Sequence, residues 1–95
     1  MAGTIVSDTF SSTTSTLQLY AGNGGTSYIS VQNHDAANYV IVTFGGKAAV
    51  AGASPNGVKV KAGEFLEIQG NSHDFSSPIN VIADTATVKL TFLHN

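Results

Sequence analysis

The 95-residue sequence contains no cysteine, no arginine and no tryptophan. Without cysteine, neither a disulfide nor a thiolate metal site can form. The absence of arginine and the net charge of −2 exclude a basic nucleic-acid-binding surface, which needs positive side chains to neutralise phosphates. Without tryptophan, any stacking against a sugar would depend on the tyrosines. We therefore expect no nucleic-acid partner.

Charged residues and long apolar runs are also scarce. Charged side chains make up 11% of the chain, against about 25% in ordinary soluble domains. No segment approaches the roughly 18 consecutive apolar residues that indicate a membrane helix. Residues 1–10 lack the basic and apolar regions of a secretory signal. We expect no membrane partner, synthesis in the cytoplasm of the producing cell, and a single domain over residues 1–95.

Short β-branched segments recur along the chain, separated by clusters of glycine, asparagine, serine and proline. This pattern is typical of all-β folds, and no stretch shows the capped periodicity of a long helix. We predict an all-β protein consisting of a single small antiparallel β-sandwich of Greek-key or jelly-roll type. About eight short strands would suit such a sandwich, at residues 4–9, 16–20, 28–32, 39–44, 57–61, 65–69, 79–83 and 87–93.

The segment "NYVIVTFG" is apolar on both faces. Val40 and Val42 share one face, whereas Tyr39 and Ile41 share the other. A strand in a two-layer sandwich has a single inner face, so the second apolar face needs a cover. We expect that cover to be an N-terminal segment or a neighbouring subunit.

Alternation of apolar and polar residues is clearest in "GVKVKAGEFLEI", residues 57–68. Two valines precede an Ala-Gly turn, after which Leu66 and Ile68 return to the core face. We interpret the segment as a β-hairpin on the surface of the sandwich, with Lys61 and Glu67 close enough to pair.

The histidines raise the question of a metal site. They are His34 and His73, each followed by an aspartate, and His94 near the C-terminus. Three imidazoles and a carboxylate are a suitable ligand set for zinc. Both His-Asp pairs, however, lie in turn-like segments where aspartate commonly caps its own backbone. We predict no metal site, and metal binding by these histidines stays an open alternative.

Catalytic and cofactor motifs are incomplete. Ser72, His73 and Asp74 are consecutive, so they cannot adopt the spatial order of a catalytic triad, and no G-x-S-x-G turn is present. The stretch "VTFGGKAAV" lacks both the first glycine of a phosphate loop and the hydroxyl residue after its lysine. We predict no catalytic residues, no cofactor and no enzymatic activity, and we interpret Gly45-Gly46 as a strand exit.

Four stretches from Ile29 onward are similar to a known class of protein: "ISVQN", "NYVIVTFGGKAAVAG", "SPNGVKVKAGEFLEI" and "SPINVIADTATVKLTF". In strand spacing, Gly-Gly-x-Ala exit, Ala-Gly-Glu turn and Pro-Ile strand entry, they resemble the small β-sandwich decoration or cement proteins of tailed bacteriophages. The resemblance implies a non-enzymatic virion protein on the capsid surface. It also implies a homotrimer that binds the major capsid protein or another virion protein and stabilises the capsid.

Two other functions remain open at this stage. Related small proteins occur in phage tails and at fibre bases, and small β-sandwiches also serve as glycan-binding modules. A glycan site would have to use Tyr20, Tyr28 or Tyr39, each of which also fits a core or interface position.

The Thr/Ser-rich start of the chain, residues 1–15, lies outside the resemblance. Its low charge and its apolar Ile5, Val6 and Phe10 predict an extended N-terminal arm that adds a strand to a neighbouring molecule. The predicted interface therefore combines these three residues with Tyr39 and Ile41. Deletion of residues 1–10 is expected to leave a folded sandwich that no longer attaches to its particle.

Overall fold

The computed structural model describes residues 5–22, 26, 28–46, 57–69, 76–85 and 87–95. Within these ranges the chain is all-β, so they contain no helix that could span a membrane. Each predicted strand has a counterpart, which confirms the predicted fold class. The strands are β1 (Val6–Ser12), β2 (Leu17–Tyr20), β3 (Tyr28–Asn33), β4 (Val40–Thr43), β5 (Val58–Val60), β6 (Phe65–Gln69), β7 (Ile79–Ala83) and β8 (Val88–His94).

The described strands form two four-stranded sheets, in the orders β1-β8-β3-β6 and β2-β7-β4-β5. All neighbours are antiparallel. The four strands that come first in the sequence pair with the last four in reverse order. The pairs are β1 with β8, β2 with β7, β3 with β6 and β4 with β5. Successive pairs alternate between the sheets, which is the arrangement of a jelly roll.

The core lies between the two sheets, because every second side chain of a strand points inward. Phe92 is the largest fully buried side chain, and its ring meets Phe10 of β1 and Tyr20 of β2. The remaining buried apolar residues of the core are Leu19, Ile29, Val31, Val40, Val42, Val60, Ile79, Val81, Ala83, Val88 and Leu90.

The predicted surface hairpin at residues 57–68 is wrong. β5 pairs with β4 in one sheet, and β6 pairs with β3 in the other. The turn between them therefore carries the chain from sheet to sheet, with Gly63 at φ 74° and a 3.0 Å hydrogen bond from the Glu64 N–H to the Lys61 carbonyl. Val60 before the turn and Leu66 and Ile68 after it pack into the core from opposite sheets. Alternation alone does not distinguish this arrangement from a hairpin.

The Gly-Gly pair after β4 is a strand exit, as expected. Gly45 and Gly46 have φ values of 68° and 76°, a region that residues with a side chain rarely adopt. The Gly46 N–H donates to the Pro78 carbonyl at 3.0 Å. Residues 47–50 of the same stretch lie outside the described residues.

Much of the expected N-terminal arm belongs to the sandwich itself. β1 pairs with β8 in a continuous register, from Val6 opposite His94 to Ser12 opposite Val88. Phe10 contacts Phe92 edge-on, with ring centroids 6.5 Å apart. Deletion of residues 1–10 would remove most of β1 and leave β8 as a new edge, so this deletion cannot test attachment without also changing the fold.

Candidate interaction surface

Exposed large apolar side chains lie at the sheet edges. Among the described residues they are Ile5 (59% exposed), Val6 (43%), Val58 (42%) and Phe65 (63%). Ile5 directly precedes β1 and Val6 is its first residue, and Phe65 begins β6 at the opposite edge of the same sheet. Sequence reasoning missed Phe65, although the alternation that places Leu66 inward also places Phe65 outward.

The four edge strands differ in how well they are protected against pairing with another chain. β5 has three residues and carries Lys59, β2 has four residues and a register shift, and β6 carries Glu67. Short length, charge and irregular register all protect an edge. β1 has seven residues, no register shift, no lysine and no proline. It is the longest edge strand in the described part of the chain, and Asp8, opposite the buried Phe92 of β8, is its one charged residue.

Asp8 is the one charged residue in β1, and it interacts within its own chain. Its Oδ2 atom lies 3.7 Å from Nε2 of His94 on β8. The His94 ring packs against Tyr20 and Phe92, with centroid distances of 5.1 and 5.6 Å. The Asp8 side chain is 52% exposed, so this pair adds little stability, but it places the carboxylate next to β8.

Ile41, a predicted interface residue, is only 1% exposed in the single chain. On the outer face of its sheet it lies between Ile82 of β7 and Lys59 of β5. Tyr39 packs against the same cluster, and Lys59 Nζ lies 4.4 Å from the centre of the Tyr39 ring. Because Ile41 is already covered within its own chain, it is not available to a neighbouring subunit.

The five predicted interface residues do not form one surface. Ile5 and Val6 are exposed at the β1 edge, and Phe10 is half-buried against the core. Tyr39 and Ile41 lie on the other sheet. Ile5 and Val6, at the β1 edge, are therefore the most exposed of the five residues.

The histidines are far from a common site in the part of the chain that the structure describes. His34 Nε2 lies 2.7 Å from Thr91 Oγ1, whereas His94 lies at the far end of β8 beside Asp8. His73 and Asp74 are outside the described residues. Within the described ranges, no group of three or more histidine, aspartate or glutamate side chains is placed to hold a metal ion.

The first His-Asp pair has the capping role that its loop sequence predicted. Asp35 Oδ2 accepts hydrogen bonds from the backbone N–H groups of Ala37 and Asn38, at 2.9 and 2.7 Å. These bonds favour the ionised carboxylate and hold the pKa of Asp35 below its usual value. Asn33 completes the loop, since its Oδ1 accepts the Asp35 N–H at 2.8 Å. The role of Asp35 is thus to hold the loop after β3 in its conformation.

Each of the three tyrosines has a partner within the chain. The Tyr20 hydroxyl is hydrogen-bonded to the Thr26 hydroxyl, and the Tyr39 ring lies under Lys59. The Tyr28 hydroxyl donates to Glu67 Oε2 at 2.9 Å, which raises the pKa of Tyr28. These contacts within the chain explain the positions of the three tyrosine side chains without a sugar-binding site.

No family model and no curated protein matches the sequence. Among solved structures, the chain is similar to a component of Bacillus endospore appendages, which form a novel family of disulfide-linked pili. The TM-score is 0.46 at 14% identity, over 96% of this chain and 87% of that one. The present chain has no cysteine. A similarity of this size assigns neither family nor function.

Proposed function

We propose that this chain is a non-enzymatic structural protein of a virion, which decorates a bacteriophage capsid and stabilises it. Its partners would be the major capsid protein and further copies of itself. The observation that carries the proposal is the long, regular β1 edge, beside which Ile5 and Val6 are exposed. An open strand edge offers main-chain donors and acceptors to another chain.

The sequence resemblance to phage decoration proteins supports this proposal. The described residues of the stretches that carry it lie in or next to the strands from β3 to β8. Two of its turn features coincide with glycines at positive φ, namely Gly45 with Gly46 after β4, and Gly63 after β5. Glycine is the residue that adopts this backbone conformation at little cost. The backbone of these turns therefore explains why glycine occupies these positions.

The low charge of the exposed edge also suits a protein contact. The centres of protein interfaces are depleted in charged residues, and β1 offers serines, threonine and apolar residues with Asp8 as its one charge. A single contact of this kind is weak. Repetition on a particle surface raises avidity by about 10²–10⁴, which would retain the protein.

Copy number and location are separate parts of the proposal. The resembled family implies a homotrimer on the capsid surface, whereas a tail or fibre-base protein would use the same edge at a different place. Labelling the chain on purified particles with gold-conjugated antibody would distinguish these locations.

Co-purification with particles tests the proposed function. Phage particles are isolated on a density gradient from cells that produce the chain, and the ratio of this chain to the major capsid protein is measured. We expect the wild type at a fixed ratio, and a double variant with Ile5→Ser and Val6→Ser largely absent from particles. Val58→Ser, which changes an exposed valine on β5, is the matched control and should be retained.

Both substituted positions of the double variant are exposed, so the variant should fold. A wild-type chain that remains entirely in the soluble fraction would contradict the proposed role. Equal retention of the double variant would show instead that the β1 edge is not the attachment surface.

A further inference from the structure

We infer that the β1 edge pairs with the β1 edge of a second copy, antiparallel and across a two-fold axis at Thr9. The two four-stranded sheets that contain β1 would then continue into one sheet. This inference deepens the proposed function by naming the partner and its register. The dimer itself does not require the proposed function, and only its location on a particle rests on that proposal.

The outer face of β1 is complementary to itself in this register. Ser7, Thr9 and Ser11 lie opposite Leu93, Thr91 and Lys89 of β8, which alternate with the buried residues of that strand. The three hydroxyl residues therefore share the outer face. In the paired dimer Ser7 faces Ser11 of the partner subunit, and the two Thr9 residues face each other. Hydroxyl pairs of this kind stabilise antiparallel strands.

Charge favours this register over the one with its axis at Asp8. With the axis at Thr9, Asp8 faces Phe10 of the partner subunit. With the axis moved to Asp8, the two Asp8 carboxylates would lie directly opposite each other, which is destabilising. The axis at Thr9 also gives every residue of β1 a partner, because Thr9 is the middle of the strand.

The two-fold arrangement differs from the trimer that the sequence resemblance implies. An antiparallel pairing of identical strands is isologous and closes as a dimer. Two seven-residue strands bury less surface than a standard interface. The dimer is therefore weak in dilute solution and forms at high local concentration, as on the surface of a particle.

A matched pair of double variants tests both the pairing and its register. The variant S7E/S11K places opposite charges at both Ser7–Ser11 contacts across the axis, whereas S7K/S11K places like charges there. Both carry Ser11→Lys, which lies opposite Lys89 in the same chain, so the intrachain repulsion is common to them. Urea unfolding of the two variants establishes that both are folded.

Sedimentation equilibrium over a wide concentration range measures the association. We expect a monomer–dimer equilibrium for the wild type, and dimerisation of S7E/S11K roughly tenfold tighter than that of S7K/S11K, from two cross-strand charge pairs. The Val58→Lys variant at the β5 edge should dimerise like the wild type. A wild type that is trimeric, or monomeric up to millimolar concentration, would overturn the inference, and so would equal dimerisation of the two double variants. Co-purification of the wild-type chain with particles does not depend on these results and tests the function separately.

Discussion

Asn33 is the side chain whose removal should weaken the sandwich most specifically. It lies at the end of β3, is 2% exposed, and its Nδ2 donates to the Val60 carbonyl of β5 in the opposite sheet at 3.0 Å. The same group donates to the Asn38 carbonyl at 2.9 Å, and its Oδ1 accepts the Asp35 N–H at 2.8 Å. One amide thus joins the two sheets and the loop between β3 and β4.

Asn33→Ala removes all three hydrogen bonds. At about 1 kcal/mol for each bond, the free energy of unfolding should fall by roughly 3 kcal/mol. That is a large part of the roughly 5–15 kcal/mol available to a small domain. The melting temperature should fall by about 12–24 °C, since each kcal/mol corresponds to about 4–8 °C in a domain of this size.

Urea and thermal unfolding measure this loss, with Gln32→Ala as the matched control. Gln32 is exposed on the same strand, and its removal should change the free energy of unfolding by no more than about 0.5 kcal/mol. A loss below about 1 kcal/mol for Asn33→Ala, or a loss equal to that of the control, would refute the role assigned to the amide.

Three further predictions concern the fold and its loops. Gly57→Ala should cost about 1–3 kcal/mol of unfolding free energy in urea, because its Cβ would lie 2.4 Å from Ile41 Cγ2; a neutral result would contradict the packing there. Glu67→Gln should lower the pKa of Tyr28 in an ultraviolet titration, because it removes the carboxylate that raises this pKa; an unchanged titration curve would count against that contact. The lowered pKa of Asp35 stabilises the folded state above the ordinary aspartate pKa of about 4, and this stabilisation is lost as pH falls through the folded value. Asp35→Asn should therefore be less stable than the wild type at neutral pH, with a difference that shrinks in acid; a constant difference would exclude the carboxylate as its cause.

The strands could be predicted from the sequence because they are short, often β-branched segments between turn residues, and several of them have a local period of two. In β8, for example, Val88, Leu90 and Phe92 alternate with Lys89 and Thr91, and all three are buried. The pairing partner of each strand could not be predicted from the same pattern, because alternation does not show which sheet a strand joins. For this reason the alternation around the turn after β5 predicts a hairpin, although β5 and β6 join different sheets.

The candidate surface was only partly predictable. Ile5 and Val6 are exposed at an edge, yet their strand pairs with β8 at the other end of the sequence, a contact that no local pattern contains. The sequence alone predicts Ile41 at an interface because its neighbours in the sheet, Ile82 and Lys59, are distant in sequence. Long-range strand pairing therefore decides which apolar residues are accessible.

Electron cryo-microscopy of gradient-purified particles tests the structural role most directly. We predict jelly-roll density on the capsid surface at regular positions, with the β1 edge and its Ile5 and Val6 against another protein chain. Particles without such density, or with the sandwich present but the β1 edge facing solvent, would contradict attachment through this edge.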